Sequence, residues 1–250
     1  LVLIIFRAIS IEFRSKEPMA WWRQMWDISY SVSSMGIGLL LGVVLGNVLL
    51  GFPLDEGQRM QGHWLQFLNP YALMVGLSSL ALFTMHGAIY LTLKTEGRLF
   101  VKLNILLKRA IILFVVSFGI TTLYTLLYIP HLSDQFKQSP LLFAIPLTAF
   151  LSIANIPRLV SRKKYRTAFV FSGGTIALLL ALVAIELYPV LLLSTIAPEY
   201  SLDVYKAASS EKSLGIMLVI AAIGAPLVLA YTAFVFWTFK GKVQLDEHSY

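Results

Sequence analysis

Residues Ile28–Leu50 read ISYSVSSMGIGLLLGVVLGNVLL, a run without a single charged side chain. A bilayer hydrocarbon core of about 30 Å is crossed by roughly 20 apolar residues in a helix. This stretch is therefore long enough to span. Working outward, five more runs of similar character follow at Tyr71–Leu93, Ile105–Tyr128, Leu141–Ile156, Thr167–Leu187 and Leu214–Thr238. The fourth is the shortest. Leu1–Phe6 is apolar but stops at Arg7, too short to span and without the layout of a signal peptide. It reads as the end of a truncated helix, with an N-terminal part of the protein missing.

The basic residues fall into every second gap between these runs. Of twenty Lys and Arg, the only ones outside those alternate gaps and the run ends that border them are Arg59, Lys137, Lys206 and Lys212. Arg7, Arg14, Lys16 and Arg23 precede the first full run. Lys94, Arg98, Lys102, Lys108 and Arg109 follow two runs later. Arg158, Arg162, Lys163, Lys164 and Arg166 come two runs after that, and Lys240 and Lys242 close the series. Alternation of this kind is the positive-inside pattern of a multi-pass helical membrane protein. It predicts an all-α, polytopic transmembrane bundle of six full spans plus the end of a truncated one, with the C-terminus in the cytoplasm.

Composition agrees. Hydrophobic residues make up 58% of the 250-residue chain and charged residues 13%, about half the usual charged share. The net charge of +7 is dispersed over short loops, which argues against nucleic acid as a partner and for anionic lipid headgroups. The absence of cysteine excludes disulfides, thiolate metal sites, iron–sulfur clusters and a cysteine nucleophile. There is no P-loop, no G-x-S-x-G, no H-E-x-x-H and no dinucleotide fingerprint.

Helix punctuation is readable in places. Asn69-Pro70 is a cap followed by proline at the first helical position. Asp27 is placed to cap the first full span, and Ser209 or Ser210 the last. Pro146 and Pro226 fall inside spans and are expected to kink them. The longest loops, Gly51–Gln66 and Pro189–Ser213, are expected outside.

A few residues are candidates for chemistry or assembly. Ser34, Gly38, Gly42 and Gly46 recur every four residues on one face. Small residues in that register allow close approach of two helix backbones, although glycine is also generally common in membrane helices. His86 is the one histidine near the middle of a span, since His63, His131 and His248 lie in loops. Iron ligation, proton relay and a neutral imidazole bonded between helices are all open to it, and the last is favoured. Glu186, one turn before Pro189, reaches the interface, pairs with an outer-loop group or admits protons. Trp21, Trp22, Trp26 and Tyr30 read as an interfacial aromatic belt, or with Arg23 and Asp27 as support for a site. No span holds a carboxylate pair, which weakens an ion-coupled transporter.

Several short runs carry a resemblance. They are Arg7-Ala-Ile-Ser-Ile-Glu12-Phe-Arg14-Ser-Lys16, Trp22-Arg23-Gln-Met-Trp26-Asp27, Gly46-Asn47, Gly51-Phe-Pro53, Phe67-Leu-Asn69-Pro70, Gly87-Ala-Ile-Tyr-Leu91, Lys94-Thr-Glu-Gly97, Ala168-Phe-Val-Phe-Ser172, Ala207-Ala-Ser-Ser210 and Tyr231-Thr-Ala233 leading to Trp237. In order and spacing they resemble subunit II of the cytochrome bd quinol oxidases. The resemblance implies a chain of nine helices, arranged as two four-helix bundles plus one. Residues 1–50 would be the remainder of the first bundle, 71–188 the second, and 214–238 the additional helix. It implies membership of a bacterial cytoplasmic-membrane terminal oxidase that oxidises quinol and reduces dioxygen to water.

Two b-type haems and haem d are implied in a partner, subunit I, with none bound by this chain; a structural quinone and a small accessory subunit are further candidates. The implied roles of subunit II are assembly, stability and proton access. The acidic residues credited with that access lie on helices outside this sequence. Arg7 matches a family arginine near them, and Glu12, Arg14, Trp22, Arg23, Trp26, Asp27, Asn69 and Pro70 match structural motif positions. Glutamine in place of His86 in some members argues against an iron ligand. The alternative reading is a secondary transporter or permease, which should show broken helices at corresponding positions of two repeats. Pro146 and Pro226 are not so placed.

Overall fold

The computed structural model describes residues 1–129, 132 and 140–242. His131, Lys137 and His248 lie outside the described residues. The described chain is helical almost throughout. The helices are α1 (Val2–Arg14), α2 (Ala20–Leu50), α3 (Pro70–Lys94), α4 (Gly97–Tyr128), α5 (Ala144–Ser161), α6 (Tyr165–Leu187) and α7 (Glu211–Thr238). Six of its segments are long and apolar enough to cross a membrane: α2, α3, α4, Leu141–Ser161, α6 and α7. A 3-10 turn at Pro140–Phe143 leads into α5. The all-α, multi-span reading therefore holds.

Consecutive helices pack as a row from α1 to α4, and α5 and α6 pair with each other while α6 docks on α3. One apolar cluster is shared by four helices. Leu82, Met85 and Ile89 of α3, Leu107, Ile111 and Phe114 of α4, Ile153 and Ile156 of α5, and Ala168 of α6 all belong to it. Outward-facing positions stay apolar, as in Leu123, Leu126, Leu151 and Val170, because lipid rather than water surrounds them.

The α3–α4 reversal is tight. Gly97 takes a left-handed φ of +62° there, a conformation that costs glycine nothing. The α5–α6 reversal places Lys163 at φ +57°, with its N–H on the Val160 carbonyl and the Lys164 N–H on that of Leu159. This is a left-handed helix C-terminus closed by paired backbone bonds.

Several local expectations need correction. Leu1–Phe6 is not where its helix ends: α1 runs on to Arg14, because helix hydrogen bonding does not stop where apolarity does. Asp27 does not cap α2. The helix begins two turns earlier, with Met19 as its cap residue, and Asp27 is an interior residue paired with Arg14. The tryptophan-rich segment before the apolar run is simply helical. Pro146 sits in the first turn of α5, where no intrahelical N–H bond is lost and no kink is needed. The proline inside α5 is Pro157, so the span runs through the point where the sequence pattern stops it and reaches Ser161. Elsewhere the punctuation is as read. The Asn69 side chain accepts the Ala72 N–H at 2.8 Å, and Ser210 caps α7.

The long loops are more ordered than turn residues suggest. Strands β1 (Val190–Leu192) and β2 (Leu202–Asp203) pair antiparallel. The two loops also bind each other: the Phe52 N–H meets the Leu193 carbonyl at 2.8 Å, and the Thr195 N–H meets that of Phe52 at 2.9 Å. Buried Ser194 donates to the Leu54 carbonyl at 3.0 Å. This clasp ties the end of α2 to the end of α6.

Candidate functional site

The polar residues inside the helices define the places where chemistry or specific assembly is available. His86, half-buried in the middle of α3, has Nδ1 2.7 Å from Ser172 Oγ on α6. Ser172 is fully buried and directs its own hydroxyl hydrogen to the Phe169 carbonyl at 2.9 Å. A serine has one hydrogen to give, so His86 Nδ1 must be the donor to Ser172. The ring also stacks on Phe169 with centroids 4.7 Å apart. The imidazole is thus fixed in tautomer and orientation between two helices.

A series of hydroxyl contacts continues along the same bundle. Ser78 of α3 meets Thr121 of α4 at 3.0 Å, and Thr125 of α4 meets Tyr71 of α3 at 3.2 Å. Ser152 of α5 donates to the Phe171 carbonyl of α6 at 3.1 Å, and Tyr165 of α6 to Asn104 of α4 at 2.8 Å. Interhelical bonds of this kind contribute about 0.6 kcal/mol each in a membrane. Their larger effect is to fix rotation and register.

The glycine face of α2 lies against α3. A Cβ placed on Gly42 would come within 2.5 Å of Ser79 Cβ and 2.7 Å of Gly76 Cα, and one on Gly46 within 2.7 Å of Ala72 Cα. Gly38 is looser, with the Leu80 side chain at 3.3 Å. Ser34 extends the same face with a buried hydroxyl that has no hydrogen-bond partner among the described residues. Gly76 reciprocates from α3, where a Cβ would stand 2.9 Å from the Leu39 carbonyl oxygen.

At the C-terminal end of α2 stands a group that the sequence marked only by the Gly46-Asn47 run. Asn47 is 6% exposed. Its amide nitrogen donates to the Val43 and Phe67 carbonyls, both at 2.8 Å, and its oxygen accepts Asn69 Nδ2 at 2.9 Å. Asn69 thereby caps α3 and locks it to α2 at once. The signal available in the sequence was an amide inside an apolar run beside a cap motif.

The α1–α2 turn gathers most of the motif positions. Arg14 Nε donates to Asp27 Oδ1 at 2.6 Å, and Lys16 pairs with Glu12 at 3.4 Å. Trp22 Nε1 donates to the Phe13 carbonyl at 2.7 Å. Trp26 packs on Phe13 and Trp22, with ring centroids at 5.3 and 5.8 Å, while Arg23 is exposed. Arg7 lies over the Tyr30 ring at 5.7 Å. Arg7, His86 and Glu186 stand on three different helices. Glu186 is half-buried in the last turn of α6, about 21 Å along that helix from Ser172. They do not form one catalytic cluster.

Among the described residues there is no group of three or more His, Asp or Glu able to hold a metal ion, and the one intramembrane imidazole is bonded through Nδ1 to Ser172 and stacked on Phe169. No described span offers a second histidine opposite it.

The family model for cytochrome bd terminal oxidase subunit II matches residues 1–239. The chain belongs to the cytochrome bd oxidase subunit II family. It is 29% identical to cytochrome bd-I ubiquinol oxidase subunit 2 of Escherichia coli K12, over 99% of this chain and 73% of that one. It is 24% identical to cytochrome bd ubiquinol oxidase subunit 2 of Bacillus subtilis, over 99% and 72%. In three dimensions it is similar to a chain of the bd oxidase from Geobacillus thermodenitrificans. That match has a TM-score of 0.74 at 18% identity and covers 95% of this chain and 71% of that one. The bd-type subunit II reading stands, and the permease alternative does not.

Proposed function

We propose that this chain is the haem-free partner in a quinol-oxidising, dioxygen-reducing membrane complex, and that it is inert alone. The match to the subunit II family over residues 1–239 carries this reading. The helix–helix bond from His86 Nδ1 to Ser172 gives that imidazole a structural role within this reading. In this reading a larger subunit I holds two b-type haems and haem d. This chain supplies a rigid, lipid-facing flank through the Gly42–Gly76 seam and the Asn47–Asn69 lock.

We further assign residues 71–188 to one four-helix unit, residues 1–50 to what remains of another, and 214–238 to an added helix. The alternation of basic residues supports an inner position for the α1–α2, α3–α4 and α5–α6 turns and for the C-terminus. Arg7, beside Tyr30 at the exposed edge of α1, is the candidate for contact with a proton path that continues in neighbouring helices. Glu186, at the far end of α6, is the candidate for outer-side access. Quinol-dependent oxygen consumption in membranes tests the core of this. Activity is expected when this chain and its partner are produced together and none from this chain alone. Oxygen consumption by this chain alone overturns the reading.

A further inference from the structure

A groove of about 480 Å³ runs between α5 and α6, lined by Thr148, Leu151, Asn155 and Arg158 on one side and Phe171 and Leu178 on the other. Thr148 and Ser152 interrupt the apolar wall along α5, and Asn155 and Arg158 lie nearest the α5–α6 turn. Arg158 is exposed there. Among the described residues its guanidinium has no hydrogen-bond or ion-pair partner, and neither has the Asn155 amide. The surrounding charge is of one sign. Arg162 follows one helical turn later, then Lys163, Lys164 and Arg166, and no Asp or Glu occurs between Ala144 and Ile185.

We propose that this groove binds an anionic phospholipid, with the phosphate at Arg158 and one acyl chain along Leu151, Phe171 and Leu178. Three physical points select this occupant. From Arg158 to Thr148 the groove extends about 15 Å along α5, half of a hydrocarbon core of about 30 Å and so the depth of one leaflet. A free phosphate would use the arginine but leave the apolar walls uncovered. A partner helix, about 10 Å across, would have to bring its own acceptors for the guanidinium and the amide. A phospholipid satisfies both, since its phosphate and ester oxygens only accept hydrogen bonds, and arginine and the asparagine amide donate them.

The test uses the purified complex in mild detergent. It is challenged in turn with dioleoylphosphatidylglycerol, dioleoylphosphatidylcholine and inorganic phosphate, and bound lipid is read by native mass spectrometry. The wild type is expected to retain phosphatidylglycerol in preference to phosphatidylcholine, and phosphate is expected not to displace it. Arg158→Gln should lower retention by about tenfold or more, the loss that goes with one charge-assisted hydrogen bond. Arg158→Lys should keep most of it, and Leu151→Trp should abolish it with the charge intact. Co-elution of the haem-bearing chain shows that each variant is assembled.

Equal retention in Arg158→Gln and Leu151→Trp overturns the proposal, as does equal retention of phosphatidylcholine or displacement by phosphate. The chain has no cysteine, so Leu151→Cys is a unique label, and its cross-linking to a co-purifying chain would show a protein occupant and also overturn it. If no haem-bearing chain co-purifies at all, the subunit reading fails instead. The same lipid assay on the full chain alone then decides the groove.

Discussion

Gly42 of α2 and Gly76 of α3 meet backbone to backbone: a Cβ on Gly42 would lie 2.7 Å from Gly76 Cα and 2.7 Å from the Val75 carbonyl oxygen. Real Cβ atoms do not approach so closely, so nothing larger than glycine fits without moving α2. Gly42→Leu should therefore destabilise the fold by about 1–3 kcal/mol through overpacking, measured as lowered resistance to denaturing detergent. Gly174 has nothing within 4 Å of a Cβ, so Gly174→Ala should leave that resistance unchanged.

Asn47 links three elements through its amide. Asn47→Leu would leave the Phe67 carbonyl without this donor, at about 1–3 kcal/mol for an unsatisfied group, and would reduce the Asn69 amide to its bond with the Gln66 carbonyl. Hydrogen exchange should then accelerate at the Ala72 N–H, because Asn69 loses one of the two bonds that orient its cap. Unchanged exchange there would show that Asn69 holds its position without Asn47.

His86→Gln should preserve the haem spectrum of the complex and most oxidase activity, since a glutamine amide donates to Ser172 as the ring nitrogen does. His86→Leu removes the donor and should cost about 0.5–1.5 kcal/mol. Thermal unfolding of the two variants side by side measures the difference. Loss of one haem band in His86→Gln with the complex intact would contradict the helix-linking role.

The loop that forms the clasp carries a pH dependence. Asp55 accepts the Arg59 N–H at 2.8 Å and the Gln61 amide at 2.7 Å, and these bonds hold its carboxyl below the ordinary value of 3.8. A depressed folded-state value means stabilisation that is present above 3.8 and lost as pH falls through the lower value in the fold. Exchange at the Arg59 N–H should rise on acidification below pH 3.8 and be pH-independent in Asp55→Asn, apart from the intrinsic rate.

Much of this arrangement is legible in the residues. Apolar length and the alternation of Arg and Lys are set by the bilayer, so they show in any window of the chain. The glycine register of α2 is legible for the same reason, because backbone approach needs a missing Cβ. Helix ends are not so constrained. Asp27 looked like a cap because apolarity begins after it, but the helix had already started at Ala20. The fourth apolar run ends at Ile156, yet α5 continues through Pro157 to Ser161. Partners distant in sequence were hidden as well. Nothing local joins His86 to Ser172 or Phe52 to Leu193. Both pairs arise from helix docking and loop return, which no periodicity encodes.

The central claim is that this chain belongs to a haem-bearing oxidase without holding iron itself. Affinity purification of the tagged protein in mild detergent, followed by a reduced-minus-oxidised spectrum of the complex and of each separated chain, tests it most directly. The account predicts b- and d-type haem bands in the complex, a larger co-purifying chain that retains them, and none on this chain. Stoichiometric haem on the separated chain, or purification of the chain as a haem-free protein with no partner, would contradict it.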